Sequence, residues 1–305
     1  MSNLSRFFSD IQKLESISVQ LLKIEKSTDE SIEYRSREIE LYPESFYEEY
    51  LSGLCNKYTT GNYSENDPEP YQGDVVNGTI YELSVFDDLI NESLKILEKT
   101  IADPIKEKDV IKKEWDALLI KGILPETDQN VPVRLISMKT PVSVMKNRFL
   151  LDDQGRFRKI ENHVLTLNNS LDAVLFGETF YFMTMQAEKL FDIERAYKIK
   201  CDRKTREIID SGLISNNDKF SLTAKKGVNP RRFVSYNPQR FEALQKESTR
   251  KKLLKMFQIE VNQDGKINTD DEVSSDRLIR FLCNKAMLDP VDEGPREVSA
   301  AKAWK

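Results

Sequence analysis

Apolar residues recur along the first half of the chain at spacings that distinguish helices from strands. Spacings of three and four residues predict an amphipathic helix running to about residue 26. The apolar residues with this spacing are Leu4, Phe7, Phe8, Ile11, Leu14, Ile17 and Leu21. The same spacing predicts later helices, and alternation of apolar with polar residues predicts strands. We expect helices over 43–58, 87–103 and 110–120, and strands over 32–41 and 79–85.

The second half of the chain places its strand patterns before its helix patterns. We expect strands over 133–138, 163–167, 171–176 and 180–184. Helix patterns follow over 186–191, 193–211, 229–233, 238–259 and 276–285, with a last strand over 297–304. Because strands and helices are segregated, the predicted fold class is α+β rather than a wound parallel sheet. It comprises an acidic N-terminal α/β part followed by a strand meander with C-terminal helices.

A polar stretch of Pro, Glu, Thr, Asp, Gln and Asn over residues 125–131 reads as a linker. We therefore predict two domains, an acidic N-terminal α/β domain over 1–130 and a basic α+β domain over 131–305. Charge supports this division. Acidic residues exceed basic ones by 13 in residues 1–130, and residues 131–305 carry +8, which together give the net charge of −5. A positive field on one part can attract polyanions although the whole chain is acidic.

The sequence contains few residues suited to histidine-based catalysis, disulfide formation, zinc binding or nucleotide binding. The single histidine, His163, lies on a predicted strand, so histidine-based triads and nucleases are disfavoured. Cys55, Cys201 and Cys283 are far apart, which argues for free thiols in a reducing compartment rather than for disulfides or a zinc site. The sequence contains no glycine-rich phosphate loop. We expect no catalytic residue, no metal, no cofactor and no small-molecule substrate.

The most apolar stretch, residues 171–185, is too short and too charged to span a bilayer, and the N-terminus has no signal-peptide pattern. A cytoplasmic protein is therefore expected.

Two metal-based alternatives remain open at this stage. A Mg²⁺-dependent nuclease needs only a few carboxylates, and Asp172 lies on a predicted strand where it could serve. Residues 260–271 come close to a calcium-binding EF-hand loop, with Gly265 at the sixth position. However, Glu260 and Asp271 occupy the first and last positions, where Asp and Glu are usual, and the chain has no second loop of this type. An ordinary Asp-Gly turn explains the same residues.

Basic residues form three groups in the second half of the chain, interleaved with aromatic residues. Lysine and arginine neutralise phosphates and donate hydrogen bonds to them, so these groups are the candidate DNA-binding residues. A solvated helix face is the plain alternative for each group. The candidates are Lys139, Lys146, Arg148, Arg156, Arg158, Lys159, Lys225, Lys226, Arg231, Arg232, Arg240, Arg250, Lys251, Lys252 and Lys255.

The order of elements in the second half resembles a known family. The apolar pair 171–176 and 179–183 is similar to its core hairpin, and residues 187–192 are similar to its short helix, although Ala187 stands where that helix has Phe. Pro230-Arg231-Arg232 and the segment 296–302 also fit. The family is the KwaB-like family, the soluble component of the Kiwa anti-phage defence system.

The resemblance implies a DNA-binding defence effector that blocks phage DNA replication or late transcription. It also implies a membrane-embedded partner, KwaA, and self-association into a homo-oligomer, so that the cytoplasmic protein would work at the inner membrane. It identifies no functional residue by position. Two alternatives stay open beside this one, namely the Mg²⁺-dependent nuclease and a non-catalytic adaptor whose basic surface meets a protein partner or a membrane surface.

Overall fold

The protein is described here from a computed structural model. The described residues are 3–26, 31–39, 45–60, 67–73, 79–99, 115–126, 129–138, 142–143, 149–151, 155–159, 164–165, 170–288 and 295–297. The chain divides into two compact units. Unit 1 comprises residues 1–70 and 77–192, and unit 2 comprises residues 71–76 and 193–305.

The described part of the chain contains fourteen strands and ten α-helices, as the α+β prediction requires. The strands are β1 Glu15–Lys26, β2 Ile32–Ile39, β3 Glu69–Pro70, β4 Tyr81–Ser84, β5 Ala117–Pro125, β6 Asn130–Ser137, β7 Val142–Ser143, β8 Phe149–Leu151, β9 Phe157–Lys159, β10 Val164–Leu165, β11 Ala173–Phe176, β12 Thr179–Phe182, β13 Ala286–Leu288 and β14 Pro295–Glu297. The helices are α1 Asn3–Asp10, α2 Ser45–Thr59, α3 Asn91–Glu98, α4 Gln186–Leu190, α5 Ile193–Asp210, α6 Asn217–Ala224, α7 Asn229–Arg232, α8 Pro238–Gln245, α9 Glu247–Met256 and α10 Glu272–Leu282.

Eight of the strands form the sheet of unit 1, in the order β2-β1-β5-β6-β11-β12-β4-β3. Neighbouring strands are antiparallel except for the parallel pair of β3 with β4. Because successive side chains point to opposite faces, each strand contributes to two layers. Helices α1 and α2 cover one face through an apolar cluster that includes Phe7, Phe8 and Leu54.

The opposite face of the sheet carries α3 and α4. The hydroxyl of Tyr34 on β2 donates to the carbonyl of Leu190 at 2.6 Å, and the hydroxyl of Ser93 on α3 donates to the carbonyl of Phe191 at 2.8 Å. The ring of Phe191 packs edge-on against Phe180 of β12, with 4.6 Å between the ring centroids. These contacts fix both helices over the sheet.

Unit 2 is built mainly from helices. Helices α5 to α10 surround an apolar core that includes Phe220, Phe233, Phe281 and Leu282. The segment beginning at Tyr71 belongs to this unit although it lies far away in sequence. The carbonyl of Gln72 accepts a hydrogen bond from the Ser235 hydroxyl at 2.8 Å.

Two predicted helices are wrong. The N-terminal helix ends at Asp10, and residues 15–26 form β1 instead. In β1, Ile17, Val19 and Leu21 alternate toward the core under α1 and α2, and Leu22 is buried on the other face, which produced a false helical spacing. The helix predicted over 110–120 is wrong over Ala117 to Ile120, because these residues begin strand β5, which is buried on both faces. Residues 110–114 lie outside the described residues.

Other boundaries are sharper in the structure than in the sequence. The helix predicted over 238–259 is two helices, because Lys246 between α8 and α9 has an extended backbone. The last predicted strand, over 297–304, overlaps β14 only at Glu297, and its other residues lie outside the described residues, so it stays a prediction. The domain boundary expected after residue 130 falls inside the β5–β6 hairpin, and the compact units divide after Asp192.

Asp172 joins the three central strands β6, β11 and β12, and it is 3% exposed. Its carboxylate accepts a hydrogen bond from the backbone N–H of Met138 at 2.6 Å and another from the Thr184 hydroxyl. Its backbone N–H donates to Ile136, and its carbonyl accepts from Met183 and Thr184. The side chain therefore closes the ends of the two neighbouring strands around the start of β11.

We predict that Asp172→Ala lowers the free energy of unfolding of unit 1 by about 2–3 kcal/mol, because the backbone N–H of Met138 and the hydroxyl of Thr184 lose their carboxylate acceptor. Urea unfolding followed by the fluorescence of buried Trp115 measures this loss. The exposed Asp67 supplies the control, and Asp67→Ala should change the free energy by less than about 0.5 kcal/mol. Equal effects of the two substitutions would contradict the role given to Asp172.

Candidate DNA interface

The predicted DNA-binding residues are divided between the two units. Lys139, Lys146 and Arg148 lie outside the described residues. Arg156 is exposed immediately before β9 in unit 1, and Arg158 and Lys159 lie on that strand. The remaining candidates, which belong to the second and third groups, lie in unit 2 between α6 and α9.

Arg240 of α8 serves the interior of unit 2. Its Nη1 donates to the carbonyl of Phe281 at 2.6 Å and to the carbonyl of Ala286 at 3.2 Å. The guanidinium carbon lies 5.1 Å from the ring centroid of Phe281 and 5.7 Å from that of Phe257. Burial lowers the pKa of this guanidinium, although it stays charged at neutral pH. The side chain therefore ties α8 to the end of α10.

Arg232 of α7 is also used within unit 2. Its side chain is 12% exposed, and its Nη1 donates to Asp276 at 2.7 Å and to Asn229 at 2.6 Å. Asp276 also pairs with Arg280 one helical turn later on α10, at 2.6 Å. One carboxylate thus holds two arginines and connects α7 with α10. Charge reversal at position 232 would break this pair, so it cannot by itself measure DNA contact.

Lys225 and Lys226, at the end of α6, are exposed but each faces an acid. Lys225 lies 3.0 Å from Asp202 of α5, and Lys226 lies 2.7 Å from Glu272 of α10. Exposed ion pairs of this kind contribute about 0–1 kcal/mol and can exchange partners. Arg231 is half-buried with its guanidinium over the ring of Tyr197, 5.7 Å from the centroid.

Helix α9 presents a different arrangement. Lys251, Lys252 and Lys255 are exposed on one side of the helix, and Leu254 turns into the core on the other. Lys251 pairs with Glu247 at 2.8 Å, with both side chains exposed. Within the described part of the chain, Lys252 and Lys255 have no ion-pair partner. Arg250 borders this side and is half-buried. We call Lys251, Lys252 and Lys255 the α9 lysine face.

The described structure gives little support to metal binding, histidine chemistry or a reactive cysteine. Among the described residues, no group of three or more His, Cys, Asp or Glu side chains is placed to hold a metal ion. His163 lies outside the described residues. Burial raises the pKa of the Cys201 thiol to about 11, so it is protonated at neutral pH. The described cysteines are free thiols.

The loop that resembles an EF-hand directs several of its oxygens to its own backbone. Asn262 Oδ1 accepts from the backbone N–H groups of Asp264 and Lys266, both at 3.0 Å. Asp271 caps α10 by accepting from the backbone N–H of Ser274 at 2.9 Å. Two of the expected ligand positions therefore have structural partners, as an Asx turn and a helix cap would require.

A family comparison identifies the chain. The family described as "Kiwa protein KwaB-like" matches residues 131–288, which is more than half of the chain. The chain belongs to the KwaB-like family. This confirms the resemblance found in the sequence and connects the protein with Kiwa anti-phage defence. No curated protein and no solved structure matches the chain.

The KwaB-like match includes parts of both units. It begins on β6, in the middle of the sheet of unit 1, and continues through the helices of unit 2 to the end of β13. Strands β1 to β5 lie before it and complete the same sheet. In the described part of the chain, no helix has the length and apolar character needed to cross a membrane.

We predict that Arg240→Ala lowers the free energy of unfolding of unit 2 by about 2–4 kcal/mol, because two part-buried carbonyls lose the guanidinium donor and two aromatic rings lose their contact with the cation. Lys252→Ala should change it by less than about 0.5 kcal/mol, since the lysine is exposed and unpaired in the described structure. Urea unfolding followed by the helical circular dichroism signal compares the two variants. Similar losses would show that Arg240 is not the structural residue its contacts indicate.

Proposed function

We propose that this KwaB-like protein binds duplex DNA through the α9 lysine face and that DNA binding is its contribution to Kiwa defence. The observation that carries the proposal is the presence of three exposed lysines on one side of a helix, two of them without an acidic partner in the described structure. Phosphate contacts made by lysines are independent of base sequence, so binding is expected to be weakly sequence-specific.

The net charges of the two units support DNA binding by unit 2 rather than by unit 1. Counted over the units, unit 2 carries +6 and unit 1 carries −11, which sum to the net charge of −5. A lysine ammonium is a compact point charge that contacts phosphate without the fixed bidentate geometry of arginine, so lysines suit contacts that must form along any duplex. The half-buried Arg232 and Arg240 support the scaffold behind this surface, while Lys225, Lys226 and Arg231 remain secondary candidates.

The remaining parts of the proposal come from the family. The protein would block phage DNA replication or late transcription together with the membrane protein KwaA, and it would act as a homo-oligomer. In this arrangement the acidic unit 1 repels DNA, so it is the part proposed to face KwaA or another copy of the chain. The nuclease alternative is not favoured, because both carboxylate oxygens of Asp172 accept hydrogen bonds inside the sheet.

We predict that replacing Lys251, Lys252 and Lys255 together with Gln weakens duplex binding and reduces the slope of log K against log salt by about 2.7, since each lost phosphate contact removes about 0.9. Fluorescence anisotropy over a salt series measures the slope. The matched control replaces Lys13, Lys23 and Lys26 of unit 1 with Gln, which changes the net charge equally. An unchanged slope in the α9 variant, or equal loss in the control, would contradict the proposal.

Incubation of the unmodified protein with supercoiled plasmid and Mg²⁺ separates binding from nuclease activity. We expect the plasmid to be retarded at low salt and to remain supercoiled after the protein is removed. Nicked or linear plasmid would support the nuclease alternative instead.

A further inference from the structure

Two cations face each other across neighbouring strands of the acidic unit. Lys121 of β5 and Arg134 of β6 are directly paired in the register of the sheet. Both project from the sheet face that carries α3, because Arg134 contacts Glu98 at the end of that helix. Like charges placed directly opposite in a sheet repel each other and destabilise it. Such a pair is unexpected in a unit of net charge −11.

The acids around this pair neutralise it incompletely. Arg134 Nη2 donates to Glu98 Oε1 at 3.0 Å, but Nη1 of the same guanidinium is buried and has no hydrogen-bond partner among the described residues. Lys121 has no ion pair in the described structure, and burial together with Arg134 lowers its pKa despite the fields of Glu38 and Glu98. One guanidinium nitrogen and one ammonium are therefore left as donors on the same face of the sheet.

A further polar group lies on the same face of the sheet, on the strand next to that of Lys121. Gln20 of β1 is paired with Leu119 of β5, two residues from Lys121 on the same side of the strand. Its Oε1 is buried and has no hydrogen-bond partner among the described residues. Buried polar atoms are normally satisfied, and each exception needs an explanation such as a bound water, ion or ligand. Arg134 Nη1 and Gln20 Oε1 lie on the same sheet face, on the two strands that flank β5, and both need such an explanation.

We propose that Lys121 and Arg134 bind the anionic group of a small molecule on this face of the sheet, as a ligand rather than a substrate. A carboxylate or a phosphate has oxygens that can accept from Arg134 Nη1 and Lys121 Nζ together. Gln20 Oε1 is available to accept from an N–H or O–H group of the same molecule where that molecule extends across β5. The anion would remove the repulsion across the strands, so binding would stabilise unit 1.

The site differs from the α9 lysine face in shape as well as position in the chain. Arg134 is 17% exposed and is flanked by Glu98, whereas the α9 lysines are exposed along a helix. A flat, half-buried pair bordered by acids favours a single small anion over a continuous DNA backbone, whose neighbouring phosphates would meet Glu98 and Glu38. This inference does not depend on the proposed function.

The test is the rate of acetylation of Lys121 in the full chain, measured by mass spectrometry with and without inorganic phosphate or acetate. Sodium chloride keeps the ionic strength equal. At an anion concentration twice the Kd, we expect acetylation of Lys121 to slow about threefold by mass action. Lys23 serves as the internal control, because it is a half-buried lysine of the same unit that already pairs with Asp116 at 3.1 Å.

Two variants change the site in opposite directions, each compared with its own anion-free rate. Arg134→Gln should weaken protection about tenfold, as loss of a charge-assisted hydrogen bond predicts. Glu98→Gln removes the competing carboxylate and should strengthen protection about threefold or more. The exposed position of Glu98 makes this second variant safe for folding. Neither substitution should alter DNA binding by the α9 lysine face.

Absence of Lys121 protection in both the unmodified protein and Glu98→Gln would overturn the proposal, as would equal protection of Lys23. Protection by duplex DNA that matches protection by phosphate would also overturn it, because the pair would then belong to the DNA-binding surface. Thermal unfolding in the same buffers gives a second readout, in which phosphate or acetate should raise Tm for Glu98→Gln more than for Arg134→Gln.

Discussion

The buried carboxylate of Asp172 is the constraint on which the sheet of unit 1 depends. Its oxygens accept from the backbone N–H of Met138 after β6 and from the hydroxyl of Thr184 after β12, so the ends of both strands are held beside the start of β11. Helices α1 and α2 can then pack on one face, and α3 and α4 on the other. The sequence suggests Asp172 as a metal ligand, but its carboxylate stabilises the sheet instead. The nuclease alternative therefore loses its main candidate residue.

Ion pairing organises unit 2 in a comparable way. Asp276 holds Arg232 and Arg280, and Arg240 lies between aromatic rings with its donors on backbone carbonyls. Arg232 and Arg240 are candidate DNA-binding residues in the sequence, but in the structure their side chains make contacts that stabilise unit 2. An external polyanion binds most readily to cations that are exposed and not already paired within the protein, and Lys252 and Lys255 of the α9 lysine face are the clearest examples in the described structure. The same distinction, between cations that are fully paired within the protein and cations that are not, identifies Lys121 and Arg134 in unit 1.

The sequence predicts the class of fold and much of its second half, because strands β11 and β12 and helices α4 and α5 each have a clear period and clear ends. It misses α6, over which no helix is predicted. It fails at β1, whose apolar residues alternate from Ile17 to Leu21 but also fit the three- and four-residue spacing of a helix. It also fails at β5, where burial on both faces removes alternation. The basic groups are visible in the sequence, but their partners are not. Pairing of Arg232 with Asp276 spans 44 residues, and the pairing of Lys121 with Arg134 depends on a sheet register that no local pattern records.

Formaldehyde cross-linking of a short duplex to the full chain, followed by peptide mass spectrometry, tests the central claim most directly. Formaldehyde joins lysine amines to DNA only where the two are in contact. We expect cross-links at Lys251, Lys252 and Lys255 that disappear as salt is raised, with fewer at the paired Lys225 and Lys226 and none above background at Lys13 and Lys26. Cross-links concentrated on the lysines of unit 1, or spread evenly over both units, would contradict the account.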